Sequence, residues 1–160
     1  MHETPIVALI YDFDKTLSPK DMQEYGFLPG LGLDPNAFWA DCRAFALKNL
    51  TDGVLAYMYM MRAAAEKAGK PLTRGALESL GRSVEFYPGV ESWFDRVNSI
   101  GEAAGVRVEH YIISSGLKEI IDGSRIAGAF KAVFAASYVY DSEGRAIWPA
   151  TDVNYTAKTQ

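Results

Sequence analysis

Asp12 and Asp14 stand two residues apart at the end of an apolar run, Ile6 to Tyr11, in the stretch IVALIYDFDKTLS. Side chains at i and i+2 of an extended chain point to the same side, so the two carboxylates share a face. Placed side by side they repel unless a cation or a shared proton neutralises them. That is costly as a purely structural device. Mg2+ is the natural complement, because it takes one or two protein carboxylates and completes its octahedron with water and phosphate oxygens. Later in the chain a second apolar run, YII, meets Ser114, Ser115 and Gly116. Ligands of a parallel sheet sit beyond the C-terminal ends of its strands, where Asp12 and Ser114 both fall.

Other phosphate and metal patterns fit less well. Counted from Asp12 as a calcium loop, the sixth position is Leu17 instead of Gly and the twelfth is Gln23 instead of Glu. A GxxxxGK[ST] loop is absent, which argues against a P-loop nucleotidase. A phospho-receiver domain would share the sheet type but accept phosphate on a later strand. Here the acidic pair is on the first strand, with a long helical stretch behind it.

The elements that must position these residues follow from pattern. Ile6 to Tyr11 is apolar without alternation, which predicts a strand covered on both faces. The segment PKDMQEYGFLPGLGLDPN reads as loop with one helical turn. Three helical stretches follow: one starting at Asp34-Pro35, one capped by Thr51 and stopped by Gly69, and one starting at Thr73. Tyr57, Met58, Met60 and Met61 read as helix-packing surface, and Cys42 as a small packed residue. After Tyr87-Pro88-Gly89, VESWFDRVNSIGEAAG predicts an amphipathic helix and VRVEHYIISSG a strand. LKEIIDGSRIAGAF reads as helix then loop, AVFAAS as a strand, and YVYDSEGRAIWP as a hairpin turning at Asp141 to Gly144. The order is that of an α/β fold with a parallel sheet and a helical excursion after its first strand.

Composition narrows the partners. A net charge of -4 with scattered Lys and Arg offers no field for nucleic acid. One cysteine excludes an internal disulfide and a Cys-based zinc cluster, and two distant histidines do not make a metal pair. No apolar run approaches the ~20 residues of a membrane span, and no signal peptide is evident, so a cytoplasmic location is expected.

IVALIYDFDKTL, YIISSG and NYTAKTQ together resemble the haloacid dehalogenase-like hydrolase superfamily, on its phosphatase branch. They are most similar to phosphoserine-phosphatase-like members with a helical cap, and the likeness covers residues 5–18 and 86–160. The resemblance implies a Rossmann-like parallel core, 1–16 and 87–160, incomplete on its C-terminal side, with residues 17–86 as the cap. It implies a magnesium-dependent phosphomonoester hydrolase acting on a small phosphorylated metabolite. By position, Asp12 matches the nucleophile that forms an aspartyl-phosphate, and Asp14 the general acid and later base. Asp12 and the Asp14 carbonyl would hold the metal. Ser114 matches the hydroxyl that binds the phosphoryl group, with Ser115 as the second choice and Gly116 allowing close backbone approach. Lys158 matches the lysine that neutralises the phosphoryl oxygens. Lys118 reads as a solvated helix residue, Lys15 as facing solvent or cap, and Thr16 as a turn hydroxyl.

The family pattern continues beyond its lysine to an acidic loop, whereas this sequence reaches Gln160 two residues after Lys158. The resemblance therefore implies the N-terminal part of a longer phosphatase. The alternative is a catalytically silent fragment acting as a binding or regulatory module. Either way, an exposed sheet edge where further strands belong predicts a homodimer.

Overall fold

The run Ile6–Tyr11, with β-branched Ile6, Val7 and Ile10, forms strand β1, which pairs in parallel with β2 (Arg107–Leu117). β2 pairs in parallel with β3 (Ala132–Tyr140), and β3 turns back into the antiparallel β4 (Ala146–Thr151). The computed structural model describes residues 4–153, and the sheet order among them is β1-β2-β3-β4. Between β1 and β2 lie a 3-10 turn at Met22–Glu24 and five helices: α1 (Phe27–Gly30), α2 (Pro35–Asn49), α3 (Gly53–Lys67), α4 (Arg74–Gly81) and α5 (Val90–Ala103). α6 (Lys118–Asp122) and a second 3-10 turn at Ala127–Ala129 connect β2 to β3. The fold is thus α/β, with the parallel sheet, the helical excursion and the terminal hairpin that the sequence predicts.

Helix starts follow capping chemistry. The Asp34 carboxylate accepts from the Ala37 N–H at 2.8 Å, and the Thr73 hydroxyl accepts from the Ala76 N–H at 3.2 Å. The cap expected at Thr51 belongs instead to Asp52, whose carboxylate accepts from the Val54 N–H at 2.7 Å. The reason is local: Leu50 ends α2 in the left-handed conformation at φ 51°, which leaves Thr51 in the link and Asp52 at the helix entrance. Gly69 lies just beyond α3 at φ 67°, as a stop residue should. Cys42, Met58 and Met61 are buried, in keeping with their packing role.

One face of the sheet is covered by α5. Phe94 on that helix makes edge contacts with Tyr11 of β1 at 5.8 Å, His110 of β2 at 5.2 Å and Phe130 at 5.1 Å. The opposite face carries Ala8, Ile10, Tyr111, Ile113 and Phe134 in a shallow open depression. Ile10 is 61% exposed and Phe134 56%. The expectation that β1 is covered on both faces is therefore corrected. Among the described residues β1 is an edge strand with β2 on one side, and no described helix lies over the Ile10 side.

The helical excursion is tied firmly to the sheet. The Ala146 N–H donates to the Leu72 carbonyl at 2.8 Å, the Tyr138 hydroxyl to the Met58 carbonyl at 2.7 Å, and Arg62 to the Ile147 carbonyl at 2.8 Å. α4 packs on α6 through glycines: a methyl group on Gly81 would lie 2.6 Å from the Ser124 amide nitrogen. One on Gly123 would run into the backbone of Glu78.

Candidate active site

Directly after β1 the chain folds over itself. The Phe13 carbonyl accepts from the Leu17 N–H at 2.9 Å, Lys15 takes the left-handed conformation at φ 59°, and the Phe13 side chain is fully buried. Asp12 and Asp14 are thereby held at the C-terminal end of the sheet. Asp12 is exposed. Asp14 turns inward, its Oδ1 accepting from the Met22 N–H at 2.9 Å. Burial pushes Asp14 up to about 8, with the nearby Asp21 and Asp12 charges adding to the shift and the Met22 N–H and Lys15 opposing it. Lys15 reaches Asp21 at 2.7 Å, so its ammonium is committed beside the acidic pair.

The second wall comes from an irregularity in β2. Ser114 pairs with Ala135 and Leu117 with Ala136, so Ser115 and Gly116 are extra residues that bulge from the ladder. Ser114 is buried and its hydroxyl accepts from the Gly116 N–H at 3.0 Å. The Ser115 carbonyl accepts from the Tyr57 hydroxyl at 2.7 Å. At Gly116 a methyl group would lie 2.9 Å from Asp14 Oδ2 and meet the end of the Met22 side chain, so the glycine lets both side chains sit close against the bulge.

Between the sheet end and the helices lies a cleft of about 480 Å³, with Asp14, Lys15, Ser115 and Gly116 on its sheet side. The helical side contributes Asp21, Gln23, Glu24, Asn36, Trp39, Arg43 and Tyr57. The volume suits a small molecule. Of the residues expected at the site, Asp14, Ser115 and Gly116 line the cleft. Asp12 is close enough to act on Asp14 electrostatically, whereas the Ser114 side chain is buried behind the bulge. Lys158 lies outside the described residues. The sequence reading missed Gln23, Glu24, Trp39 and Arg43 altogether and took Tyr57 only as packing surface. The one available signal was the spacing of Asn36, Trp39 and Arg43, which puts them on a single stripe of α2.

A polar chain behind β1 also escaped the sequence reading. The Trp93 indole N–H donates to the Tyr11 hydroxyl at 3.0 Å, Tyr11 Oη is 2.8 Å from His110 Nδ1, and His110 Nε2 is 3.0 Å from Asn98 Oδ1. A neutral imidazole protonated on Nε2 satisfies every member: Tyr11 donates to Nδ1 and Nε2–H donates to Asn98. Burial holds His110 below its usual 6.5, in keeping with the neutral form. The chain ties α5 and β2 to the residue immediately before Asp12.

Asp12 and the carbonyl of Asp14 offer hard oxygen donors to a cation. Among the described residues, no group of three His, Cys, Asp or Glu side chains could hold a metal ion. The donors present fit Mg2+, which keeps several waters and needs few protein ligands, better than an ion that demands a protein cage.

No family model matches the chain. An uncharacterized protein of Borreliella burgdorferi is 30% identical to it over 144 residues, which is 84% of this chain and 50% of that protein. Among solved structures, a phosphoserine phosphohydrolase-like protein from Francisella tularensis superposes with a TM-score of 0.58 at 18% identity, over 92% of this chain and 64% of that one. A HAD family hydrolase from Salmonella enterica serovar Typhi gives 0.63 at 16% identity, over 98% and 49%. The fold is that of the haloacid dehalogenase-like hydrolases. A phosphoserine phosphatase solved as a phospho-aspartyl intermediate analogue shares it, with a TM-score of 0.55 at 14% identity over 89% of this chain and 61% of that one. The chain spans half the length of the curated relative it matches, and less than two thirds of each of these haloacid dehalogenase-like structures. Among the described residues no helix is long and apolar enough to cross a membrane.

Proposed function

We propose that the chain carries the catalytic pair of a magnesium-dependent phosphomonoester hydrolase that works through an aspartyl-phosphate. The observation that supports this most is the inward-turned Asp14 carboxyl on the wall of the cleft, two residues after an exposed Asp12 at the end of β1. The Asp12 carboxylate attacks phosphorus and the bond to the leaving oxygen breaks. Asp14, protonated in its buried setting, donates its proton to that oxygen. Asp14 then takes a proton from the water that attacks the phosphoryl-aspartate, which releases phosphate and restores Asp12. Ser114, the Ser115–Gly116 backbone and Lys158 are the proposed phosphoryl-binding groups, and residues 17–86 the cap that excludes water. Mg2+, held by Asp12 and the Asp14 carbonyl, would supply neutralisation of the phosphoryl charge.

The test is hydrolysis of an aryl phosphate with and without Mg2+, by the parent and by Asp12→Asn. The variant, folded as judged by circular dichroism, is expected to lose at least about 10³-fold in rate. A rate within tenfold of the parent would remove Asp12 as nucleophile. A parent that binds phosphate esters without turning them over would favour the binding-module reading.

A further inference from the structure

Beyond the β2 bulge the chain meets a buried acid. Glu119, the second residue of α6, is 1% exposed and makes no ion pair with any described residue. Its Oε1 accepts two hydrogen bonds, from the Tyr138 N–H at 3.0 Å and from the Tyr140 hydroxyl at 2.7 Å. Its Oε2 is buried with no hydrogen-bond partner among the described residues. Burying an ionisable group with one oxygen unpaired is costly, so this side chain is held in place against a penalty. The strand register shows what it does there. β2 pairs with β3 at Ser114–Ala135 and, past the bulge, at Leu117–Ala136. After Leu117 the chain turns into α6, and no strand backbone is left to meet the Tyr138 N–H. The Glu119 carboxyl takes that place, so a side chain continues the ladder one step beyond the main chain.

Two further bonds close a circuit around the same bulge. The Tyr57 hydroxyl donates to the Ser115 carbonyl at 2.7 Å, and the Tyr138 hydroxyl donates at 2.7 Å to the carbonyl of Met58, the neighbour of Tyr57 on α3. The bulge, α3, β3 and α6 are therefore linked in a ring that passes through Glu119. We propose that Glu119 is a positioning residue, which pins α6 to β3 and so holds the Ser115–Gly116 backbone in the shape that receives the phosphoryl group. This rests on the phosphatase reading above and deepens it. Glu119 does not line the cleft, and it acts through the bulge alone. Backbone N–H groups stabilise an oxyanion only when they point at it, and a displacement of about 1 Å at such a site costs up to about 10²-fold. Without the pin, Leu117, Ile120 and Ile121 keep their places in the core. Ser115 and Gly116, which have no partner in the ladder, are then free to relax.

The experiment measures two quantities on the parent and its variants. One is the affinity for inorganic phosphate in the presence of Mg2+, by calorimetry. The other is amide hydrogen exchange at Gly116, whose N–H donates to Ser114 within the bulge, by NMR. Glu119→Ala is expected to weaken phosphate binding at least about tenfold and to speed Gly116 exchange by a similar factor. Glu119→Gln keeps an amide oxygen for Tyr138 and Tyr140, and should restore both readouts to within about threefold of the parent. Ile126→Ala truncates a buried side chain outside the circuit; it should lower the urea midpoint and leave both readouts unchanged. Phosphate affinity and Gly116 exchange that survive Glu119→Ala, or that change equally in Ile126→Ala, would overturn the proposal. So would a Gln variant no better than the Ala variant. Should Glu119→Ala not fold, Tyr140→Phe removes one of the two bonds to Oε1 and must move both readouts in the same direction for the proposal to stand. A parent that neither binds phosphate nor hydrolyses an aryl phosphate would sink the phosphatase reading, while Gly116 exchange would still decide whether Glu119 holds the bulge.

Discussion

The two faces of the sheet are built from similar residues and do opposite things. On the α5 side, the rings of Tyr11 and Phe94 each lie within 6.3 Å of the other and of His110 and Phe130, centroid to centroid, and a hydrogen-bonded chain runs from Trp93 through Tyr11 and His110 to Asn98. On the other face Ile10 and Phe134 meet no described element and stay mostly exposed. Hydrophobicity alone does not distinguish these faces; what differs is whether a helix lies over the strand. The covered face therefore carries the stability of β1 and the placement of Asp12, and the bare face contributes little to either among the described residues.

Three substitutions test this, in descending order of effect. Phe94→Ala removes the ring at the centre of the covered face and is expected to cost about 3–5 kcal/mol, read from urea denaturation. A loss below about 1 kcal/mol would mean that α5 does not hold the sheet as described. His110→Gln interrupts the polar chain and leaves Tyr11 and Asn98 poorly matched, for a loss of roughly 1–3 kcal/mol. It also carries a pH signature. Burial holds the native His110 below its unfolded value of 6.5, so as pH falls below about 6.5 the unfolded chain binds a proton that the native chain resists. Stability contributed by this neutral imidazole is present above that pH and is lost on acidification, and His110→Gln should flatten this part of the profile. An unchanged slope between pH 7 and 5 would show that another group governs it. Phe134→Ser, on the bare face, should change stability by no more than about 0.5 kcal/mol. A cost comparable with that of Phe94→Ala would mean that the bare face is covered after all.

The same contrast explains what could be read in advance. Period and punctuation give away local elements: Asp34 and Thr73 announce their helices, Gly69 ends one, and the Asp141–Gly144 turn makes the hairpin. The acidic pair was legible because two carboxylates sharing a face at the end of an apolar strand are chemically demanding. Whether a strand is covered on one face or two was not legible, because Ile10 and Leu9 look alike in sequence. Thr51 and Asp52 are both good caps, and only the left-handed Leu50 decides between them. The bulge at Ser115 and Gly116 depends on cross-strand register, which one strand's sequence does not encode. The cleft residues of α2 were hidden for a related reason. A stripe of Asn, Trp and Arg reads as a solvated face until the sheet end opposite it is known.

The glycine contact between α4 and α6 has a consequence for exchanging parts of this fold. The helical excursion enters and leaves through flexible-looking segments, which invites treating it as a cassette to be swapped for another specificity. Yet Gly81 and Gly123 touch backbone to backbone, leaving no room for a methyl on either side. A transplanted excursion bearing any larger residue at the position of Gly81 would be levered off α6, and through α6 would tilt the strand that carries Ser114 to Gly116. The graft boundary that preserves the cleft is therefore not the loop before α5 but the turn before α4, with Thr73 to Gly81 retained as part of the host.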